Sequence, residues 1–213
     1  MKYTQNDEQD FILKFFENEP KGTLLDIGAN DGITFSNSRA LIERGWSAHL
    51  VEPSPVAMGR CKSNEPPLEK SQMIWYHQVA LSDLDGESEF HESGSLITVS
   101  DTALVSSLDE QETRRWRGSG VTFSTTRVKT MSWQTFWKSI GTSSLRFISI
   151  DAEGLDVAIL TQIDLEQTNT ALICVEWNSN QIAKQQITTY CGRYNFRLIH
   201  QNAENLILAN YEN

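Results

Sequence analysis

Seven short apolar runs recur along this chain of 213 residues, and this recurrence is the feature that most limits the folds available to it. Between the earlier runs lie helix signals: Ser54 followed by Pro55 is typical of a helix start, and Gly45 closes the segment SRALIERG as a C-terminal cap does. Strands that alternate with helices predict an α/β fold with a doubly wound, mostly parallel sheet. The runs are, in order, TLLDI, AHLVE, MIWYHQVAL, RFISID, ALICVE, FRLIH and NLILAN.

The two ends of the chain carry further structural signals. The last two runs, 196–200 and 205–208, are joined by too few residues for a crossover helix, so they are expected to pair antiparallel as a hairpin. An N-terminal helical segment is expected within residues 1–20, because apolar residues repeat there at helical spacing. A second amphipathic helix is expected after Ser132, with a core-facing aromatic stripe formed by Trp133, Phe136 and Trp137.

Length, charge and cysteine content limit the class of protein. The length fits a single domain over residues 1–213. A formal net charge of −10 disfavours partners such as nucleic acid or an anionic membrane surface. Three widely spaced cysteines indicate neither a disulfide framework nor a zinc site, and no apolar run approaches the ~20 residues of a membrane span. We therefore expect a soluble protein in a reducing, cytoplasmic setting.

Residues 94–129 are rich in Ser, Thr, Gly and charge and show no sustained period. So long a loop within a domain is typical of a functional lid or of disorder. It contains the basic stretch Arg114, Arg115, Trp116 and Arg117, which fits either a solvated loop or a lid over an anionic or sugar-like substrate. In the second case Trp116 is suited to stacking on that substrate.

The segment LLDIGANDG, residues 24–32, joins a buried strand to acids and two glycines. Gly28 falls where the strand must turn, Gly32 follows four residues later, and glycine lets a backbone approach a ligand closely. A pyrophosphate favours glycines without nearby negative charge, yet Asp31 stands between these two. The segment therefore favours a nucleoside with a positive group over a dinucleotide.

Glu52 ends the next apolar run, about 20 residues after Gly32. An acid at this distance can hold both hydroxyls of a ribose in this architecture. Taken alone, it would equally suit an exposed strand end; taken with the glycine loop, ribose binding is the favoured interpretation.

Together, DIGANDG, LVEPSP, ALSDLDG, SSLDE and FISIDAEGLDVAIL resemble the FkbM family of S-adenosylmethionine-dependent methyltransferases. The resemblance implies a Rossmann-like class I methyltransferase fold: a seven-stranded, mostly parallel sheet with a C-terminal antiparallel hairpin and helices on both faces. It also implies S-adenosyl-L-methionine as the cofactor. The residues expected at that cofactor are Asp26, Gly28 and Asn30 at the methionine part, Asp31 and Gly32 in the same loop, Glu52 at the ribose, and Ala80, Leu81 and Asp83 at the adenine.

Polar residues after two later strands are the candidates for catalysis. Asp151 ends the run RFISID, and both it and Glu153 are expected to bind substrate hydroxyls or to take the proton of the acceptor. Glu153 would equally suit a cap on the following helix. His91 is a further candidate base. Glu176 and Asn178 follow the next strand and are expected near the substrate, together with Arg114, Arg115 and Trp116.

A metal is an option at the same strand ends. Asp151, Glu176 and Asn178 would form an oxygen-rich group suited to magnesium, similar in outline to the metal site of catechol-type O-methyltransferases. Binding of cofactor or substrate hydroxyls is the favoured interpretation of these residues.

The predicted function is O-methylation of a hydroxyl group on a small-molecule acceptor, either a sugar or a small natural product. Two alternatives stay open. One is a non-catalytic module that binds S-adenosylmethionine. The other is an NAD-dependent oxidoreductase, which predicts a G-x-G-x-x-G loop that GANDG lacks.

Overall fold

A computed structural model describes residues 1–19, 21–94, 104–116 and 120–212. Its strands are β1 Thr23–Ile27, β2 Ser47–Val51, β3 Ile74–His77, β4 Ala80–Ser82, β5 Gly86–Ser93, β6 Phe123–Ser132, β7 Phe147–Ile150, β8 Leu172–Glu176, β9 Arg197–Gln201 and β10 Asn205–Ala209. Its helices are α1 Glu8–Phe15, α2 Arg39–Ile42, α3 Pro55–Ser63, α4 Glu110–Trp116, α5 Trp133–Ile140, α6 Asp156–Leu160 and α7 Gln181–Gly192.

The main sheet has seven strands in the order β3-β2-β1-β7-β8-β10-β9. The first five run parallel, whereas β10 pairs antiparallel with both β8 and β9. The predicted Rossmann-like sheet and its C-terminal hairpin are confirmed. The order of connection reverses between β1 and β7, and in open α/β sheets ligands bind beside such a switch point, at the carboxyl ends of the strands.

Both faces of this sheet are covered, which explains why its central strands are continuous apolar runs. Successive side chains of a strand point to opposite faces. Leu25 accordingly packs with Phe136 of α5 on one face, while Leu24 packs with Ile12 of α1 and Trp46 on the other. The aromatic stripe of α5 therefore belongs to the core, as predicted.

A smaller sheet, in the order β4-β6-β5, corrects two predictions. The run MIWYHQVAL is divided between β3 and β4, which belong to different sheets. The segment 94–129 is not uniformly irregular, because it contains α4 and much of β6, whose pairing with β5 runs from Phe123 to Thr130. β6 buries Val128 and Thr130 but exposes Lys129 between them, so its polar composition hid a strand with one solvated face. Residues 95–103 and 117–119 of that segment lie outside the described residues.

Local signals set several helix ends. The side chain of Ser54 caps α3, its Oγ accepting a hydrogen bond from the Ala57 N–H at 3.1 Å, with Pro55 in the first turn. The helix in the N-terminal segment is confirmed but is confined to α1. In the ranges described, none of the helices combines the length and apolar character that crossing a membrane requires.

Candidate active site

A cavity of about 280 Å³ opens at the carboxyl ends of β1, β2, β7 and β8, beside the switch point. Acids dominate its charged lining, and Arg115 is the one Lys or Arg side chain among its described residues. An acidic cavity suits a ligand that carries positive charge or donates hydroxyl hydrogen bonds. The acids that line it are Asp26, Glu52, Asp151, Glu153, Glu176 and Glu204.

Gly28 is required by contact with the protein itself. Its φ is +84°, and a Cβ there would lie 1.7 Å from the main-chain oxygen of Asp151. The N–H groups of Gly28 and Ala29 donate to the Val51 oxygen at 2.9 and 3.0 Å. The close approach at Gly28 is therefore made to the protein's own main chain, and Gly28 and Asn30 also line the cavity.

Asp31 and Gly32 are not among the described residues that line the cavity. Oδ1 of Asp31 accepts the N–H groups of Ile33 and Thr34 at 2.8 and 2.7 Å, and Oδ2 accepts the Thr34 hydroxyl at 2.7 Å. Gly32 packs against Cys61, whose Sγ would lie 2.9 Å from an added Cβ. Asp31 therefore shapes the loop that carries Thr34 to the cavity wall, and its predicted attraction for a positive group gains no support from this geometry.

Glu52 presents a fixed carboxylate to the cavity. Its Oε1 accepts the Ser54 N–H at 2.7 Å and its Oε2 accepts the Asn30 N–H at 3.0 Å. Burial raises the pKa of Glu52 to about 7. Each carboxylate oxygen retains acceptor capacity, so both can still receive a hydroxyl of a ligand.

Asp26 lies deeper in the same wall. Its Oδ2 accepts the Ser38 hydroxyl at 2.5 Å, and burial raises the pKa of Asp26 to about 6 although Ser38 and Ser149 donate to it. Asn37 lines the cavity beside Ser149, and its Oδ1 is buried without a hydrogen-bond partner among the described residues. Asn37 and Ser149 were not predicted, because neither belongs to a strand-end acid pattern.

Asp151, Glu153 and Glu176 form a cluster that we call the acid trio. Each offers one carboxylate oxygen, and these oxygens all lie within 4.8 Å of one another. Burial, followed by repulsion from Asp156, raises the pKa of Asp151 to about 8. Burial and the neighbouring acids also raise the pKa values of Glu153 and Glu176 well above their usual range. The trio is thus a concentration of negative charge that favours protons or a cation.

The alternative role of Glu153 as a helix cap is not supported, because α6 has no side-chain cap and the acid in its first turn is Asp156. Asp156 at the start of α6 accepts the Ala152 N–H at 2.7 Å and the Gly154 N–H at 3.2 Å. Glu153 itself lines the cavity. Asn178 lines it too and hydrogen-bonds the Glu176 carboxylate. The spacing of acids in DAEGLD was the available signal for Asp156.

The basic stretch is divided by α4. Arg115 and Trp116 line the cavity, with the guanidinium 5.2 Å from the indole ring centre and 2.6 Å from a carboxylate oxygen of Glu112. Arg114 instead pairs with Glu110 at 3.1 Å on the exposed side and is not among the described lining residues. Arg117 lies outside the described residues. Of the described residues in this stretch, Arg115 and Trp116 are therefore the ones at the candidate substrate side.

The smaller sheet supplies part of the apolar wall. Ala80 and Leu81 of β4 line the cavity, as does Phe90 of β5. Asp83, beyond the end of β4, is exposed and is not among the described lining residues. His91 follows Phe90 on the strand and points to the other face, so it too is outside the described lining and gains no support as a base.

The seven-stranded, mostly parallel sheet and its antiparallel hairpin are those that the resemblance implied for a class I methyltransferase. A model of the methyltransferase FkbM domain matches residues 26–203. The chain therefore belongs to the FkbM methyltransferase family, and the predicted resemblance is confirmed. Membership of this family implies S-adenosylmethionine as the methyl donor.

Individual relatives are distant. The chain is 26% identical over 172 residues to the 2-O-methyltransferase NoeI of Sinorhizobium fredii, a match that covers 79% of this chain and 68% of the relative. A structure of monomeric WbdD matches with 10% identity and a TM-score of 0.47 over 96% of this chain, which spans only 41% of the WbdD chain. A TehB-like SAM-dependent methyltransferase from Corynebacterium glutamicum matches with 10% identity and a TM-score of 0.42, over 96% of this chain and 88% of that chain.

Proposed function

We propose that this protein transfers a methyl group from S-adenosylmethionine to a hydroxyl oxygen of a sugar or a small natural product. The observation that carries the proposal is that one cavity holds both Glu52, suited to a ribose, and the acid trio, suited to acceptor hydroxyls. The name of the relative NoeI, a 2-O-methyltransferase, supports oxygen as the methylated atom.

The donor would lie along the wall formed by β1, β2 and β4. Glu52 would accept the ribose hydroxyls, and the loop of Gly28 and Asn30 would hold the methionine part above Asp26. Apolar Ala80 and Leu81 would pack against the adenine. When bound, S-adenosylmethionine supplies a methyl group on a positively charged sulfur, and the acids of this cavity suit that charge.

The chain's own part in the reaction is to position the acceptor and remove its proton. Asp151 and Glu153 would hold the acceptor hydroxyl beside the donor and accept its proton as the oxygen is methylated. A carboxylate with a pKa of about 8, as in Asp151, exchanges protons readily near neutral pH. Methyl transfer does not itself require magnesium when a carboxylate can take the proton, so magnesium is a separate hypothesis.

The acceptor would lie between the acid trio and α4. Trp116 and Arg115 would cover a sugar ring there, Trp116 by stacking and Arg115 by donating to its oxygens. The six acids of the lining make a phosphorylated or carboxylated acceptor a poor fit. We propose residues 104–116 as part of the substrate lid within a single domain, because α4 and the smaller sheet contribute to the same cavity wall.

A cytoplasmic location is also proposed. Its support is that Cys61, Cys174 and Cys191 are buried free thiols, which suits a reducing compartment.

The test combines binding and turnover. Calorimetric titration with S-adenosylmethionine and S-adenosylhomocysteine should show micromolar binding, while NAD should show none. Methyl-labelled donor should then label a member of a panel of methyl glycosides, free sugars and small alcohols. Donor binding without transfer to any hydroxylated acceptor would favour a non-catalytic module, and binding of NAD alone would favour an oxidoreductase.

A further inference from the structure

The acid trio draws its members from two neighbouring strand ends. Asp151 and Glu153 lie in the loop between β7 and α6, and Glu176 is the last residue of β8. β7 and β8 are hydrogen-bonded parallel neighbours, so their carboxyl ends meet at the same edge of the sheet. Their oxygens, all within 4.8 Å of one another, are close enough to share one ligand.

The Glu176 side chain gives a second and independent indication of a ligand. The residue is only 8% exposed and lines the cavity, yet its Oε2 has no hydrogen-bond partner in the described part of the chain. Oε2 of Glu153 is likewise buried and has no hydrogen-bond partner among the described residues. A buried carboxylate oxygen without a partner is costly, so folded proteins normally supply one.

The protein supplies little positive charge to this cluster. Arg115 is the one Lys or Arg side chain among the described residues that line the cavity, and its guanidinium is already paired with Glu112 at 2.6 Å. Further negative charge comes from Asp156 and Glu204 nearby. Among the described residues, Arg115 is therefore the one cation whose charge acts on the trio, and one guanidinium shared with Glu112 does not balance three carboxylates.

We propose that the acid trio is a binding site for one divalent cation of the hard, oxygen-preferring class, such as Mg²⁺ or Mn²⁺. Carboxylate-only donors suit these ions rather than zinc or copper. Oxygens around an octahedral Mg²⁺ lie about 2.0–2.1 Å from the ion, hence about 3–4 Å from one another, so small side-chain movements suffice.

The set of metal ligands differs from the one that the sequence suggested. Glu153 replaces Asn178, whose amide hydrogen-bonds Glu176 and would orient that ligand. Three protein ligands leave coordination positions open toward the cavity, where acceptor hydroxyls or water could bind. The inference does not rest on the proposed methyl transfer, because it concerns ion binding by the protein alone.

The test is a Mn²⁺ titration of the full chain followed by electron paramagnetic resonance, with no other ligand present. The wild type should bind one Mn²⁺, and Mg²⁺ should displace it. Glu176→Gln keeps the shape of the side chain and should weaken Mn²⁺ binding at least tenfold, as should Glu153→Gln. Glu89→Gln removes an exposed acid of β5 and should leave binding unchanged.

Circular dichroism checks that each variant is folded. Removal of a buried unpartnered charge should leave the fold intact. Equal Mn²⁺ affinity in the wild type, Glu176→Gln and Glu153→Gln would assign the ion to surface acids and overturn the site. Absence of Mn²⁺ binding would also overturn it, even if separate calorimetry showed that S-adenosylmethionine binds. The calorimetric titration with S-adenosylmethionine thus tests the proposed function independently of the cation.

Discussion

Two buried glutamates of this protein have opposite surroundings. Glu8, at the start of α1, is fully buried, and its carboxylate accepts hydrogen bonds from Asn202 at 2.7 Å, Asn205 at 2.9 Å and the Asn6 N–H at 2.9 Å. Glu176, at the cavity, is 8% exposed and keeps one oxygen without a partner among the described residues.

The pKa values follow this difference. Burial alone would raise the pKa of Glu8, but hydrogen bonds from Asn205 and Asn202 outweigh it, so the pKa of Glu8 is lowered. For Glu176, burial and the charge of Asp151 raise the pKa well above its usual range. In this pair, the carboxylate that stabilises the fold receives its hydrogen-bond donors from the chain, whereas the one proposed to bind a ligand keeps an oxygen open toward the cavity.

The largest effect is expected from Asp151→Asn, which keeps the shape of the side chain while removing charge from the acid trio. Loss of a proton acceptor should lower kcat by about 10²–10⁴-fold, while the dissociation constant for S-adenosylmethionine changes little. Turnover and calorimetry on the same preparation measure both. Equal losses in turnover and donor affinity would contradict a catalytic role.

Glu8→Ala should destabilise the protein strongly, because it leaves the amides of Asn202 and Asn205 buried without their acceptor. We expect a loss of about 3 kcal/mol in the free energy of unfolding, measured in urea. Glu176→Gln should cost little or be stabilising in the same assay. Equal destabilisation by the two variants would remove the distinction between them.

The pH dependence of stability should reveal Glu52, which combines donors from the chain with a pKa raised to about 7. Since its folded pKa exceeds the unfolded value near 4.5, the folded state binds more protons between these values. Its contribution to stability is therefore complete below pH 4.5 and is lost as the pH rises through 7.

Glu52→Gln removes this contribution. Between pH 4.5 and 7, the stability of the wild type should fall relative to that of the variant by about 2 kcal/mol. Parallel stability curves from urea unfolding at several pH values would show that Glu52 is not perturbed as described.

The smallest effect concerns donor affinity. Glu52→Ala removes the acceptor for the ribose hydroxyls and should weaken S-adenosylmethionine binding by about 1–2 kcal/mol. Calorimetry measures it, with Glu89→Ala as the exposed control. Undiminished affinity in Glu52→Ala would place the ribose elsewhere.

Much of the fold was predictable because burial on both faces leaves a strong local record. The apolar runs of β1, β7 and β8 needed no knowledge of their partners, and the short 201–205 connection required an antiparallel hairpin. Strand-end acids such as Asp26, Glu52 and Asp151 could be placed together because carboxyl ends of parallel strands converge.

The features that the sequence could not predict depend on contacts between segments that are distant along the chain. The reason for Gly28 is the main-chain oxygen of Asp151, which no local pattern reveals. The face of His91 depended on recognising β5 and β6 as a paired ribbon, although their sequence is polar. Which of Arg114 and Arg115 faces the cavity depends on the orientation of α4, which the sequence alone does not give.

The clamp between Glu8 and the turn of the last hairpin also has a consequence for the order of folding. Its partners lie 194 and 197 residues further along the chain. At about 5–20 residues per second of synthesis, Glu8 waits on the order of 10–40 s for them. α1 can dock in its final place only after β10 has begun to emerge. Gln5, just before α1, lines the cavity, so the part of the cavity wall that Gln5 forms is completed only after the hairpin of β9 and β10 has been made.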